Sequence, residues 1–338
     1  MKITNISFIS LIITHLLFGC EKISIDKVES SPKDNFNVFC SVIKNKYSFL
    51  KDKNINWDSI VSVYKPNIHD GIDKVDEFNI YKEMLECLKD GHVNLTSKFD
   101  TYSYRTYFDN PTNFDIDIIL RGYLKRDFKR LGGFSYNVID GNYGYIYYSS
   151  FISSVSGIDY ILNYMESKKV KGIILDVRNN GGGYLSNVFT LLSRFADKKR
   201  MVWKEYFKNG PRPDDFSDPV YSYVNPHSNT YKKKVVVLTN ISCYSSTSYF
   251  ATGMKQLPNV RLIGDITGGG SGSPVGYILP NGWRLRFSVT KSLDAYDYSF
   301  ELGVVPHERL NMKTDNKNLY SDSIIERAKV LIDNNFDI

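Results

Sequence analysis

Two short apolar runs, each closing on a turn and then a helix, constrain what this chain can fold into more than any other feature. Residues 170–177 read V-K-G-I-I-L-D-V, R-N-N-G-G-G follows at 178–183, and an apolar stretch then runs from Leu185 to Phe195. Residues 232–239 read K-K-K-V-V-V-L-T, ahead of N-I-S-C-Y-S-S-T-S-Y at 240–249 and the helix-like F-A-T-G-M-K-Q-L at 250–257. Apolar runs of this length between turn residues read as buried strands. Strand, turn and helix in that order imply a parallel sheet covered by helices, hence an α/β core. Neither turn is a nucleotide loop, since G-x-x-x-x-G-K-[ST] and G-x-G-x-x-G are both missing. A glycine run in such a turn lets backbone N–H groups approach a substrate oxygen.

Upstream, F-x-x-F-C-x-V-I-x-x-x-Y-x-F-L from Phe36 to Leu50 predicts an amphipathic helix. A second is expected from Trp57 to near Pro66, and a third from Val75 to Lys89. Short strands or loops are expected over 98–138, where Tyr102, Tyr104 and Tyr107 nearly alternate and Gly132-Gly133 breaks the run. The core then begins with a strand over Gly144 to Phe151 and a helix over Ile158 to Lys168. Residues 204–231, rich in Pro, Asn, Asp and Tyr, read as an irregular rim loop. A hairpin is expected across Asn281-Gly282, and a last helix from Ser321 to Phe336. These readings divide the chain into a signal segment at 1–19, a tether at 20–32, a helical domain at 33–97, a connecting segment at 98–138 and an α/β domain at 139–338.

The formal charge of +6 is spread among interspersed acids, so no nucleic-acid footprint stands out. His15, His69, His92, His227 and His307 are scattered, without a metal-binding grouping. The 25 tyrosines and 20 phenylalanines suit either a peptide cleft or a core, and composition does not separate the two. Met1-Lys2 followed by a mostly apolar run to Leu17-Phe18-Gly19-Cys20 resembles the bacterial lipoprotein signal. That resemblance implies lipidation at Cys20 and attachment to the cell envelope, with the outer membrane the expected site. A plain secretory signal is the alternative. An exported chain can form disulfides, and Cys40–Cys87 is the pair to test.

The hydroxyl cluster between strand and helix has two readings. Serines cap helices, and a serine exposed on a strand-to-helix turn can also be a nucleophile beside backbone oxyanion donors. His92, after a turn glycine and before the alternating V-N-L-T, is the histidine in the most constrained setting, although a packed surface histidine is the commoner case.

Several segments then coincide in order: K-D-G-H-V-N-L, G-I-I-L-D-V-R-N-N-G-G-G, V-V-V-L-T-N-I-S-C-Y-S-S, I-G-D-I-T-G-G-G and E-L-G-V-V-P, spanning His92 to Pro306. Together they resemble the serine peptidases that include tail-specific (carboxy-terminal processing) proteases, the tricorn protease core and retinoid-binding relatives. The resemblance implies a spiral α/β core of the ClpP/crotonase kind with a small helical N-terminal domain and no need for a cofactor. It places the nucleophile at Ser245 and the oxyanion donors at Ser246 and Gly182. Processing proteases with a Ser/Lys dyad resemble G-E-K-T-F-G-K-G, with the second lysine as base; this chain has Gly270 there. The resemblance is therefore expected to be closest to the tricorn-like branch, in which a histidine and a late glutamate serve the serine, mapping to His92 and Glu301. His307, where the family usually has Asp after Pro, is a rival base.

Imidazole can take a serine proton near pH 7, and a carboxylate can orient it. The expected partner is a peptide or unfolded protein, with a lipid anchor in the membrane and no nucleic acid. The alternatives are an inactive relative that binds peptide or an apolar ligand, and a hydrolase of esters or lactams. The segment at 98–138 looks too short for a PDZ module.

Overall fold

The structure, a computed structural model, describes residues 30–105, 113–313 and 320–336. The signal segment, Cys20, most of the tether and Tyr107 lie outside the described residues. Helix α1 (Pro32–Lys46) starts where Ser31 Oγ accepts from the Asp34 amide and Pro32 occupies the first turn. Its Phe36, Phe39, Val42 and Ile43 recur at helical spacing, and all four are buried. Asn56 caps α2 (Trp57–Tyr64), and Asp73 caps α3 (Lys74–Glu86). Phe39 stacks on Tyr81 with ring centroids 4.2 Å apart, a contact worth about 1 kcal/mol beyond the area it buries.

Strands β1 (Asn94–Thr96) and β2 (Thr101–Ser103) follow. In the connecting segment, a helical turn α4 (Ile116–Ile118) continues as a π-helical turn over Ile119–Leu124. Then come β3 (Lys129–Leu131), β4 (Phe134–Ile139), β5 (Tyr143–Tyr148), α5 (Ile158–Ser167), β6 (Gly172–Asp176) and α6 (Leu185–Ser193). Next are β7 (Arg200–Phe207), β8 (Val220–Val224), β9 (Lys234–Thr239), α7 (Ser246–Lys255) and β10 (Val260–Gly264). The chain closes with β11 (Pro274–Ile278), β12 (Arg284–Ser288), β13 (Thr290–Asp294), β14 (Glu308–Arg309) and α8 (Ser323–Asp333).

The result is a mixed α/β fold. A seven-stranded sheet runs β14-β10-β9-β6-β5-β4-β3, parallel from β14 to β5 and antiparallel at β4 and β3. One side chain row of β6 and β9 (Ile173, Leu175, Val235, Val237) packs with α5, α6 and α7, and the other (Ile174, Val236, Leu238) packs with α8. That two-sided burial explains why both strands read as continuous apolar runs rather than alternating ones. A four-stranded sheet, β11-β12-β1-β2, shares one hydrophobic cluster with the helical leader, joining Trp283, Leu285 and Phe287 to Phe39, Tyr81 and Leu85. The hairpin between β11 and β12 turns at Gly282, whose φ of 83° favours glycine.

The expected rim loop over 204–231 is corrected. Its first residues belong to β7, and β8 lies within it, so that β13-β7-β8 make a third sheet. The pairing slips between Met201 and Trp203, and that irregularity hides the alternation in the sequence. Cys40, Cys87 and Cys243 are free thiols, so the Cys40–Cys87 bridge is not formed here. Among the described residues no helix is long and apolar enough to cross a membrane, and no cluster of metal-ligating side chains occurs.

Candidate active site

The parallel strands β6, β9 and β10 end on the same side of their sheet, and a turn leaves each end. Ligand sites of open α/β sheets form at such carboxyl ends. The turn after β6 carries Asn179 to Gly183, and the turn after β9 carries Asn240 to Ser245. Side chains stitch the two together. Asn240 Nδ2 donates to Asn179 Oδ1 at 2.7 Å, and Asn240 Oδ1 accepts from the Asn179 amide at 3.0 Å. Thr247 Oγ1 donates to Asn180 Oδ1 at 2.8 Å, and Ser246 Oγ donates to Gly183 O at 2.6 Å. The turn after β10 joins them through the Ser245 amide, which donates to Gly269 O at 2.8 Å.

Ser245 sits at φ 56° and ψ −123°, a conformation that a non-glycine residue adopts only under constraint. It occupies the N-cap of α7 without capping it: its side chain accepts nothing from the helix. Its Oγ lies instead 3.1 Å from His92 Nε2, across 153 residues of sequence. Ser245 therefore does not cap the helix, and its hydroxyl is within hydrogen-bond reach of an imidazole. The other ring nitrogen of His92, Nδ1, lies 3.3 Å from Ser288 Oγ on β12, so the tautomer in which Nδ1 donates to Ser288 leaves Nε2 able to accept the serine proton. Tyr244 packs edge-on against the imidazole, with centroids 4.9 Å apart.

His92 is placed by Asp90. The Asp90 Oδ1 accepts from the His92 amide at 2.8 Å, an Asx turn that fixes the start of β1. Tyr47 donates to Asp90 Oδ2 at 2.8 Å. The Lys53 ammonium lies 3.4 Å from the same Asp90 oxygen and 2.9 Å from Glu301 Oε1. Glu301 Oε2 accepts from the Ser271 amide at 2.8 Å. Glu301 therefore belongs to the charge cluster formed with Lys53 and Asp90, while the ring nitrogens of His92 face Ser245 and Ser288.

Burial pushes the His92 imidazole down to about 4; Asp90 opposes the shift, and Arg286 and Lys53 add to it. Burial and the Asp90 charge push the Glu301 carboxyl up to about 7, with Lys53 opposing. Burial would also raise Asp90, but Lys53, His92 and Tyr47 together hold it below the ordinary carboxylate value.

Gly182 has φ 100°, and a Cβ there would come within 2.9 Å of the Ser245 Cβ and 3.0 Å of the Ser246 nitrogen. Glycine is required for the two turns to touch. The Gly182 amide donates to Asn180 Oδ1 at 3.0 Å, and the Ser246 amide opens the first turn of α7 beside Ser245. His307 is held elsewhere, its Nδ1 accepting from the Leu262 amide at 2.9 Å. Gly270, which the sequence reading matches to the position of the dyad lysine, has φ 77° and faces the Tyr244 ring so closely that a Cβ would overlap it.

Asp90, Lys53 and Ser288 escaped the sequence reading. Asp90 had a signal, the aspartate two residues before a histidine that favours an Asx turn. Lys53 and Ser288 had none, because only the fold brings them to His92.

A serine on a strained strand-to-helix turn, with an imidazole on its hydroxyl and a helix amide beside it, defines a serine-hydrolase type of site. Sequence comparison carries this further: the profile of peptidase family S41 matches residues 142–310, and that of the tricorn protease C1 domain matches residues 29–86. The chain belongs to peptidase family S41. It is 26% identical over 186 residues to the carboxy-terminal processing protease CtpA of Bacillus subtilis, covering 54% of this chain and 38% of that one. To CtpB of the same organism it is 29% identical over 128 residues, covering 37% of this chain and 25% of that one. The chain thus spans well under half the length of these two curated relatives. A crystal structure of a candidate peptidase from Parabacteroides merdae is 37% identical, with a TM-score of 0.84 over 90% of this chain and 97% of that one.

These matches correct one expectation. The curated relatives are carboxy-terminal processing proteases, whose kind works through a Ser/Lys dyad, so a place closest to a Ser/His/Glu branch does not hold as the chain's family assignment.

Proposed function

We propose that this protein is a serine-type peptidase that hydrolyses peptide bonds through an acyl-enzyme at Ser245. The observation that carries the reading is the 3.1 Å approach of His92 Nε2 to Ser245 Oγ on a strained turn. In the proposed reaction His92 takes the hydroxyl proton as Ser245 attacks the carbonyl carbon, then returns it to the leaving amine. Water repeats the sequence on the ester and frees the enzyme. The Ser246 amide supplies one oxyanion donor; Gly182 supplies the second once its amide turns from Asn180 to the developing charge. Glu301 acts with Lys53 and Asp90 to hold the segment that carries His92.

The substrate we propose is a peptide or unfolded protein, cut internally or near its carboxy terminus, as the names of the processing relatives suggest. Signal-like residues 1–19 and Cys20 support a lipid-anchored place in the bacterial envelope, reached by the tether at 20–32. We read 33–97 as a helical domain, 98–138 as its connection and 139–338 as the catalytic domain. The parallel β5-β6-β9-β10 order supports a spiral ClpP/crotonase-like core. A quenched-fluorescent peptide library and an unfolded protein test the activity: cleavage by the wild type that vanishes in Ser245→Ala is expected. Ester turnover without peptide cleavage would shift the reading to an esterase, and binding without turnover to an inactive relative.

A further inference from the structure

Lys53 lies on the turn that follows α1, in the polar stretch K-D-K-N, where a lysine is ordinarily solvated. Its side chain is instead 8% exposed. The ammonium meets Glu301 Oε1 at 2.9 Å, Tyr47 Oη at 3.2 Å and Asp90 Oδ2 at 3.4 Å. It also donates to the carbonyls of Leu88 and Lys89, at 3.4 and 3.3 Å, which immediately precede Asp90-Gly91-His92. One cation from the helical leader therefore gathers two segments. The first carries His92. The second carries Glu301, whose carboxylate and carbonyl accept from the Ser271 and Gly270 amides in the turn that also holds the Ser245 amide.

We propose that Lys53 is a positioning residue for the catalytic pair, tying the segment that carries His92 to the segment that carries Glu301. The inference rests on the reading of His92 as base. Burying an ammonium costs several kcal/mol unless it is paired, so such a site persists only where partners compensate it. The two carboxylates supply that compensation. In turn the ammonium lets two buried acids lie close together without both requiring protons. The charged groups facing His92 are Asp90 from its own segment, Arg286 from β12 and Lys53 from the leader. Removing Lys53 leaves Asp90 less balanced, and the imidazole gains a proton more readily.

The test compares Lys53→Met with Lys53→Arg in the full chain. Two readouts are used: the pH profile of Ser245 labelling by a fluorophosphonate, and the titration of the His92 ring by NMR in a Ser245→Ala background. Lys53→Met is expected to slow labelling at least tenfold at neutral pH and to move the acid limb and the ring titration upward. Lys53→Arg is expected to keep the limb near its original place. If Lys53→Met does not fold, Lys53→Met/Glu301→Gln removes the cation with one of its anions and carries the same expectation. An unmoved His92 titration in a folded variant that lacks the Lys53 charge, or an arginine variant that behaves like methionine, overturns the proposal. A wild type that never labels at Ser245 defeats the peptidase reading instead, and the ring titration still decides the role of Lys53.

Discussion

Acidification should reveal how deeply His92 is buried. An ordinary histidine loses its proton near 6.5, whereas this imidazole is pushed down to about 4, mainly by burial. In the native state it stays neutral, and competent as a base, through a pH range in which the unfolded chain has already bound a proton. The unfolded state binds more protons between 6.5 and about 4, so this group's contribution to stability is complete above 6.5 and lost as pH falls toward about 4. At 1.36 kcal/mol per pH unit the loss approaches about 3 kcal/mol. His307, which burial also brings down to about 4, titrates alongside, so the His92 share is the difference in pH slope between wild type and His92→Gln. Urea unfolding at a series of pH values measures that slope. The pH profile of labelling or peptide cleavage measures the base directly, with a half-maximal rate expected between about pH 4 and 5. An acid limb at 6 or above, with an unchanged stability slope in His92→Gln, would refute the claim that burial controls this imidazole.

Two further predictions concern the turns that hold the pair. Arg178 is fully buried, donating to both Asp176 oxygens and to Asp322 Oδ2 at 2.7 Å, so Arg178→Met leaves two buried carboxylates without their cation. It should cost about 3–5 kcal/mol, read as a lower denaturation midpoint at constant slope; a loss under about 1 kcal/mol would contradict the account. Gly270→Lys puts a lysine where the sequence reading matches the dyad pattern, but drives its Cβ into the Tyr244 ring at a positive φ. It should lower both the melting temperature and the activity; a stable variant with faster labelling would show that the turn can rearrange around a lysine.

Much of this site was legible in the sequence because its parts lie on short, strongly patterned pieces. The β6 and β9 runs are apolar on both faces, and the turns after them bring Gly182 and Ser245 together wherever those strands pair. The same logic found the β11–β12 hairpin, where Asn281-Gly282 sits at its tip. What stayed hidden depends on contacts between distant segments. β7 was lost because the irregular pairing at Met201 and Trp203 breaks the period of two, and β8 because its Val220, Tyr221 and Tyr223 face outward. Lys53 has no local signal, since its burial comes from Glu301 and Asp90, which arrive from elsewhere in the chain. Gly270 carries no local sign of the Tyr244 ring that its backbone faces, because that contact exists only in the folded state. The family position is hidden for a related reason: the residue types at His92 and Glu301 do not by themselves define a branch, and the curated relatives are processing proteases.

The most direct measurement is fluorophosphonate labelling of the purified chain, with the modified residue mapped by mass spectrometry in wild type, Ser245→Ala and His92→Ala. The account predicts a single adduct at Ser245 that is absent in Ser245→Ala and slowed by about a hundredfold or more in His92→Ala, the usual worth of a general base. Labelling at Ser245 that proceeds undiminished without the imidazole, in a folded His92→Ala protein, would contradict it and place the base on another residue.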